Sequence, residues 1–141
     1  MPDPLPPSDA TVIIFAGRGT GRNVSTDPTR TRFEVPLFDV STGEQIGRST
    51  HNFSCNGALT CEDTDTYHLP QGTVVKTSDV SIAPHTQRPG TVTTATHPVA
   101  HQLGGTGEFA DRTGMIRLHG FADISQFPRA ITLDEIYILS Y

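Results

Sequence analysis

The sequence predicts an all-β fold, specifically an eight-stranded antiparallel up-and-down β-barrel with an internal cavity. Three observations point to it. Glycine (13) and proline (11) are abundant while charged residues are only 18% of the 141, a balance that suits short strands joined by turns. No window longer than about ten residues keeps apolar side chains at helical spacing without an intervening Gly, Pro or β-branched cluster. Strand-like runs recur at regular intervals between turn residues, as in sandwiches and barrels, and tight turns favour closure because it removes exposed edges.

Residues 1–10 carry Asp3, Asp9 and four prolines and are expected to be disordered, leaving 11–141 as a single domain. The first strand is expected at Thr11 to Gly17, too short an apolar run for a signal peptide or membrane span. A polar loop from Arg18 to Thr31 follows. The second strand, Arg32 to Val40, leads through Ser41-Thr42-Gly43 into the third, Gln45 to Cys55. Thr60 to Leu69 is the fourth and, after Pro70-Gln71-Gly72, Thr73 to Ile82 is the fifth. Beyond the Pro84 to Gly90 loop come Thr91 to Leu103, Met115 to Asp123 and Ala130 to Ser140. The glycines of Gly104-Gly105-Thr106-Gly107 are expected to turn the chain between the sixth and seventh strands.

A net charge of −5 and the lack of a Lys/Arg cluster exclude nucleic acid and an anionic membrane as expected partners. With no export signal, the expected compartment is the cytoplasm, where Cys55 and Cys61 would be reduced thiols. Their spacing across Asn56-Gly57 also sets them on facing hairpin arms, within reach of a bridge if the compartment allows it.

Several motifs fail on geometry. Gly17-Arg18-Gly19-Thr20-Gly21 follows an apolar strand but has the wrong glycine spacing for a dinucleotide fingerprint, and no amphipathic helix follows. His97 and His101 have the spacing that chelates zinc from a helix, but on a strand they stand about 13 Å apart. His51, His68, His85 and His119 lie on separate segments and are expected in loops or at the surface. No metal and no cofactor are expected. The run Glu62 to His68 says more. Alternation puts Cys61, Asp63, Asp65 and Tyr67 on one face and Glu62, Thr64, Thr66 and His68 on the other. Either polar groups point into the interior or the strand lies under a loop. A buried carboxyl here would have a raised pKa and serve as an acid or base; a solvated outer face with a rim carboxylate is the alternative.

Three stretches resemble the allene oxide cyclase barrel superfamily, which includes plant allene oxide cyclases, dirigent proteins and bacterial spirotetronate and spirotetramate cyclases. The first is Gly104-Gly105-Thr106-Gly107-Glu108-Phe109 with Gly114-Met115-Ile116-Arg117-Leu118. The second runs from Phe33-Glu34-Val35-Pro36-Leu37-Phe38-Asp39 through Gly43 to Phe53, including the Ile46-Gly47 and Asn52-Phe53 pairs. The third, Leu59-Thr60 to Gly72-Thr73-Val74, agrees mainly in strand and turn lengths. The resemblance covers residues 32–123. It implies that Phe33 lines the lumen, that Leu118 stands where a lumen-lining tryptophan is usual, and that Asp63 replaces a lumen-facing tyrosine. Strand alternation extends the lining to Val35, Leu37, Cys61, Asp65, Tyr67, Ile116 and Gly120.

Two departures shape the expected activity. The first-strand carboxylate and amide of plant allene oxide cyclases are replaced by Ile13-Ile14-Phe15-Ala16, and the chain has no Trp. The resemblance therefore implies a cofactor-independent cyclase of bacterial natural-product biosynthesis, acting on a hydrophobic, linear polyketide-type intermediate. A pericyclase closing the ring by four-plus-two cycloaddition would need only a near-attack pose; an addition or elimination would use an acid and a base. Asp63, Asp65 and Tyr67 are the expected catalytic groups. Phe33, Val35, Leu37, Cys61, Ile116, Leu118 and Gly120 are the expected substrate-binding groups. The superfamily also implies a homodimer or homotrimer. A lipocalin-like binding protein without chemistry is the alternative, and a dirigent-like orienting protein a third.

Overall fold

A computed structural model describes residues 10–55, 60–85, 87–96 and 98–141, the Ser78 side chain excepted. The disorder expected at the N-terminus falls on Met1 to Asp9, outside the described residues. Nine strands follow in chain order: β1 (Val12–Arg22), β2 (Thr31–Asp39), β3 (Gln45–Cys55), β4 (Thr60–Leu69), β5 (Gly72–Pro84), β6 (Thr91–Thr96), β7 (His101–Gln102), β8 (Thr113–Asp123) and β9 (Ala130–Ser140). Each strand from β1 to β6 pairs antiparallel with the next, β6 pairs with β8, β8 with β9, and β9 returns to β1. The sheet is thus a closed eight-stranded antiparallel barrel, with the two-residue β7 attached to the side of β8. Among the described residues there is no α-helix, and no helix is long and apolar enough to cross a membrane.

Two strands depart from expectation. β1 does not stop at Gly17 but continues through Gly19 and Gly21, paired to β9 as far as Arg22 opposite Ala130. The glycines that read as a loop are needed for close approach. A Cβ on Gly17 would lie 2.7 Å from the Tyr137 hydroxyl, and one on Gly21 would lie 2.5 Å from the Glu34 carbonyl oxygen. The sixth strand ends early, at Thr96.

That early end leaves a notch between β5 and β8, which pair with β6 only over Val80–Pro84 and His119–Asp123. The glycine segment fills it, so Gly104 to Gly107 is a cap rather than a plain hairpin turn. Val75 N–H donates to Leu103 O (2.8 Å), Thr106 N–H to Thr73 O (3.1 Å) and Glu108 N–H to Gln71 O (3.0 Å). A 3₁₀ turn, Gly107–Phe109, then swings the Phe109 ring into the barrel end. Glycine is required where backbone meets backbone: a Cβ on Gly105 would lie 1.4 Å from Thr73 O.

Strand alternation sends one face of every strand into the lumen, where three layers form. At the capped end Phe15, Leu37, Tyr67, Leu69, Val74, Leu103, Phe109, Ile116, Leu118, Tyr137 and Leu139 pack as one apolar cluster. At the other end Phe33, Val35, Val92, Ala122, Ile131 and Leu133 form a second cluster, with Phe53, Ile82 and Ile124 against it. Between them lies a belt of buried polar side chains: Ser49, His51, Asp63, Asp65, Lys76, Thr94 and Glu135.

Candidate active site

The belt follows from strand register. On β4 the inward face is Cys61, Asp63, Asp65, Tyr67 and Leu69, while Glu62 is exposed. The register sets Asp65 opposite His51 of β3 on one side and Lys76 of β5 on the other. Lys76 Nζ lies 3.0 Å from Asp65 Oδ2 and 3.2 Å from Asp63 Oδ2, all three groups nearly inaccessible to solvent. His51 Nδ1 lies 3.1 Å from Asp65 Oδ1, and the Tyr67 hydroxyl donates to Asp65 Oδ2 at 3.1 Å. Across the lumen, Glu135 accepts hydrogen bonds on both oxygens, from Thr94 (2.7 Å) and from the Tyr137 hydroxyl (2.8 Å).

The two aspartates are driven apart in protonation. Burial raises Asp63 well above the ordinary 3.8, and the charge of Asp65 raises it further, outweighing Lys76. Burial acts to raise Asp65 too, but His51 and Lys76 outweigh it and hold that carboxyl far below 3.8. Lys76 is raised despite burial, because Asp65 and Asp63 stabilise the ammonium. His51 is likewise raised above 6.5: burial opposes its charge, and Asp65 prevails. His51 Nε2 and Ser49 Oγ lie 2.7 Å apart in a hydrogen bond, and the Ser49 hydroxyl lies 3.2 Å from Val35 O. Ser49, His51 and Asp65 thus stand in hydrolase order. Tyr67 and Tyr137 are pushed well above 10, first by burial and then by Asp65 and Glu135 respectively, so both remain neutral donors.

Only one Asp63 oxygen is engaged. Its Oδ1 has no hydrogen-bond partner, and Asp63 lines a pocket of about 180 Å³ at the uncapped end. The pocket walls are apolar, among them Phe53, Val80, Leu118, Ala122, Phe127 and Leu133; His51, Thr94 and Glu135 join Asp63 as its polar lining. Phe33, Phe53 and Phe127 gather near its mouth with ring centroids 5.5–6.2 Å apart. His51, Asp63 and Asp65 offer ligand atoms within 4.8 Å of one another, a metal-like spacing. The chain's own Lys76 ammonium stands among those carboxyls, against Oδ2 of each aspartate.

Asp63, Asp65 and Tyr67 are thus brought together, and Asp63 alone of the three faces the pocket; Asp65 and Tyr67 stand behind it. Of the expected binding residues, Cys61 and Leu118 line the pocket. Phe33 and Val35 pack in the apolar cluster beside it, while Leu37 and Ile116 belong to the capped end. Gly120 stands in register opposite Thr94 and Glu135 of the lumen face, and also borders an outer groove with Arg18, Phe121 and Ile136; a Cβ there would meet the Asp134 carbonyl. Two histidine and cysteine expectations also resolve. His51 is buried, not a surface histidine. His97 lies outside the described residues, as does the Asn56-Gly57 turn. Cys55 and Cys61, expected as thiols, form a disulfide, because the register sets them opposite each other across β3 and β4.

His51, Lys76 and Glu135 had a signal in the sequence. Lys76 shares strand parity with Val74, Val80 and Ile82, Glu135 with Leu133 and Tyr137, and His51 with Phe53, so each apolar face carried its polar residue inward. No family model, curated protein or solved structure matches the chain.

Proposed function

We propose that the protein is a cofactor-independent cyclase that closes a ring on a linear, apolar, carbonyl-bearing intermediate of polyketide type. The observation that carries this reading is Asp63, a buried carboxyl with one unpartnered oxygen, on a residue that lines an apolar pocket. Held neutral, it can donate a hydrogen bond or a proton to a substrate carbonyl, as a carboxylate cannot. Burial and the neighbouring Asp65 carboxylate favour that neutral form, and Lys76 holds the other oxygen in place. The apolar walls fold the chain, and a space of about 180 Å³ suits the ring being formed, since a cavity of roughly 150 Å³ holds benzene. The remainder of a longer substrate would lie across the aromatic mouth. The resemblance to the allene oxide cyclase barrels supports the same reading.

Two further parts of the reading rest on single features. The outer faces of β1, β8 and β9 expose Val12, Ile14, Phe121 and Ile136, which supports self-association into a dimer or trimer. The Cys55–Cys61 bridge supports an oxidising compartment in place of the cytoplasm.

The test is a panel of linear chains carrying a keto group, a conjugated diene and an alkene, followed by mass spectrometry and chiral separation. The expected result is faster ring closure than in buffer with one enantiomer in excess, lowered at least tenfold by Asp63→Asn and unchanged by Glu62→Gln. Binding without faster or more selective closure would replace the cyclase by a lipocalin-like carrier, which the apolar walls also suit.

A further inference from the structure

We infer that Glu135 is the base that works opposite Asp63, so that the pocket enolises a ring-sized ketone and closes the ring by enol addition. The inference rests on the cyclase reading and goes beyond it by naming a second reacting group and a substrate class.

Both residues line the same pocket from opposite parts of the barrel wall, Asp63 from β4 and Glu135 from β9. Their surroundings differ in the way an acid and a base require. Asp63 sits beside another carboxylate and leaves one oxygen unbonded. Glu135 instead receives a hydroxyl hydrogen on each oxygen, from Thr94 and Tyr137. Neither Asp65 nor Lys76 lines the pocket, and the two offset each other's charge behind its wall. Glu135, whose oxygens bond to these hydroxyls, is placed to take a proton from a carbon held in the pocket.

The step balances within one substrate molecule. Glu135 takes the proton from the carbon next to the carbonyl as that C–H bond breaks, while Asp63 gives its proton to the carbonyl oxygen. The enol carbon then adds to a conjugated acceptor further along the chain. The new C–C bond forms, the enol proton returns to Asp63 and Glu135 protonates the acceptor carbon. Both side chains end as they began, and the product is an isomer of the substrate. No oxidant, reductant or further reactant is consumed. A substrate for this step is a ketone with an acidic α-hydrogen and a conjugated acceptor within ring-closing reach.

Cyclohexanone, small enough for the pocket, isolates the first half. In deuterium oxide its α-hydrogens exchange as it enolises, and proton NMR follows their loss without any need for the natural substrate. The wild-type protein should accelerate exchange at least tenfold over buffer, and Glu135→Gln should return it to the buffer rate. Should Glu135→Gln fail to fold, Ala122→Leu fills the pocket from its wall and tests whether the exchange takes place there. It should also abolish the acceleration. Unchanged acceleration in a folded Glu135→Gln protein would overturn the role of Glu135. No acceleration by the wild type would overturn enolisation while leaving standing a pericyclic closure, which moves no proton.

Discussion

Asp63 and Asp65 are two positions apart on one strand face, yet their proton affinities move in opposite directions, and stability should record this. A group whose folded pKa is raised stabilises the fold fully below its unfolded value and loses that contribution as pH rises through the folded value. Asp63 therefore contributes below 3.8 and loses that contribution as pH rises. His51 has the same sign, starting from 6.5. Asp65 has the opposite sign: its contribution is present above 3.8 and lost as pH falls through its lowered folded value. Asp63→Asn removes the Asp63 titration. Urea unfolding across a pH series should show the variant gaining stability relative to wild type as pH rises above 3.8; parallel curves would mean that Asp63 is ionised in the fold. The alternation of Glu62 to His68 was enough to put Asp63 and Asp65 on one face with Cys61 and Tyr67. It could not say which carboxyl is neutral, because Lys76 and His51, which decide it, are brought in from β5 and β3 by pairing.

At the scale of elements, the cap is the part that pattern reading misplaced. Gly104 to Gly107 does lie in the loop between the paired β7 and β8, but backbone hydrogen bonds from Thr106 and Glu108 also tie it to Thr73 and Gln71 at and just before the start of β5. Gly105→Ala should thus push the segment off the β5 backbone, cost about 1–3 kcal/mol and loosen Leu103 and Phe109 from the capped end. Thermal unfolding and amide exchange at Val75 would measure both effects, and a neutral substitution would contradict the backbone contact. β3, β4 and β9 begin and end where the sequence places them, since clear turn residues bound them and their faces alternate cleanly. The extension of β1 was hidden for the opposite reason. Gly17 and Gly21 offer no side chain to alternate, and what keeps them in the strand is Tyr137 and the β2 backbone pressing close.

For the whole molecule, closure gives a barrel packed solid at one end and open to a pocket at the other, with the charged belt between. On the proposed reading, an apolar chain would enter from the open end and meet the carboxyl groups before the filled half. The fold class was legible because composition, turns and strand spacing agree on it. The pocket's extent was not, because Leu37 and Ile116 face inward like Cys61 and Leu118 and differ only in which end they fill. The reading turns on one property, that the Asp63 carboxyl is protonated while its neighbour is not. Carbon-13 NMR of protein labelled at the aspartate side-chain carboxyls, assigned with Asp63→Asn and Asp65→Asn, measures it directly at neutral pH. The account predicts a protonated shift for Asp63 and an ionised shift for Asp65; an ionised Asp63 would contradict it.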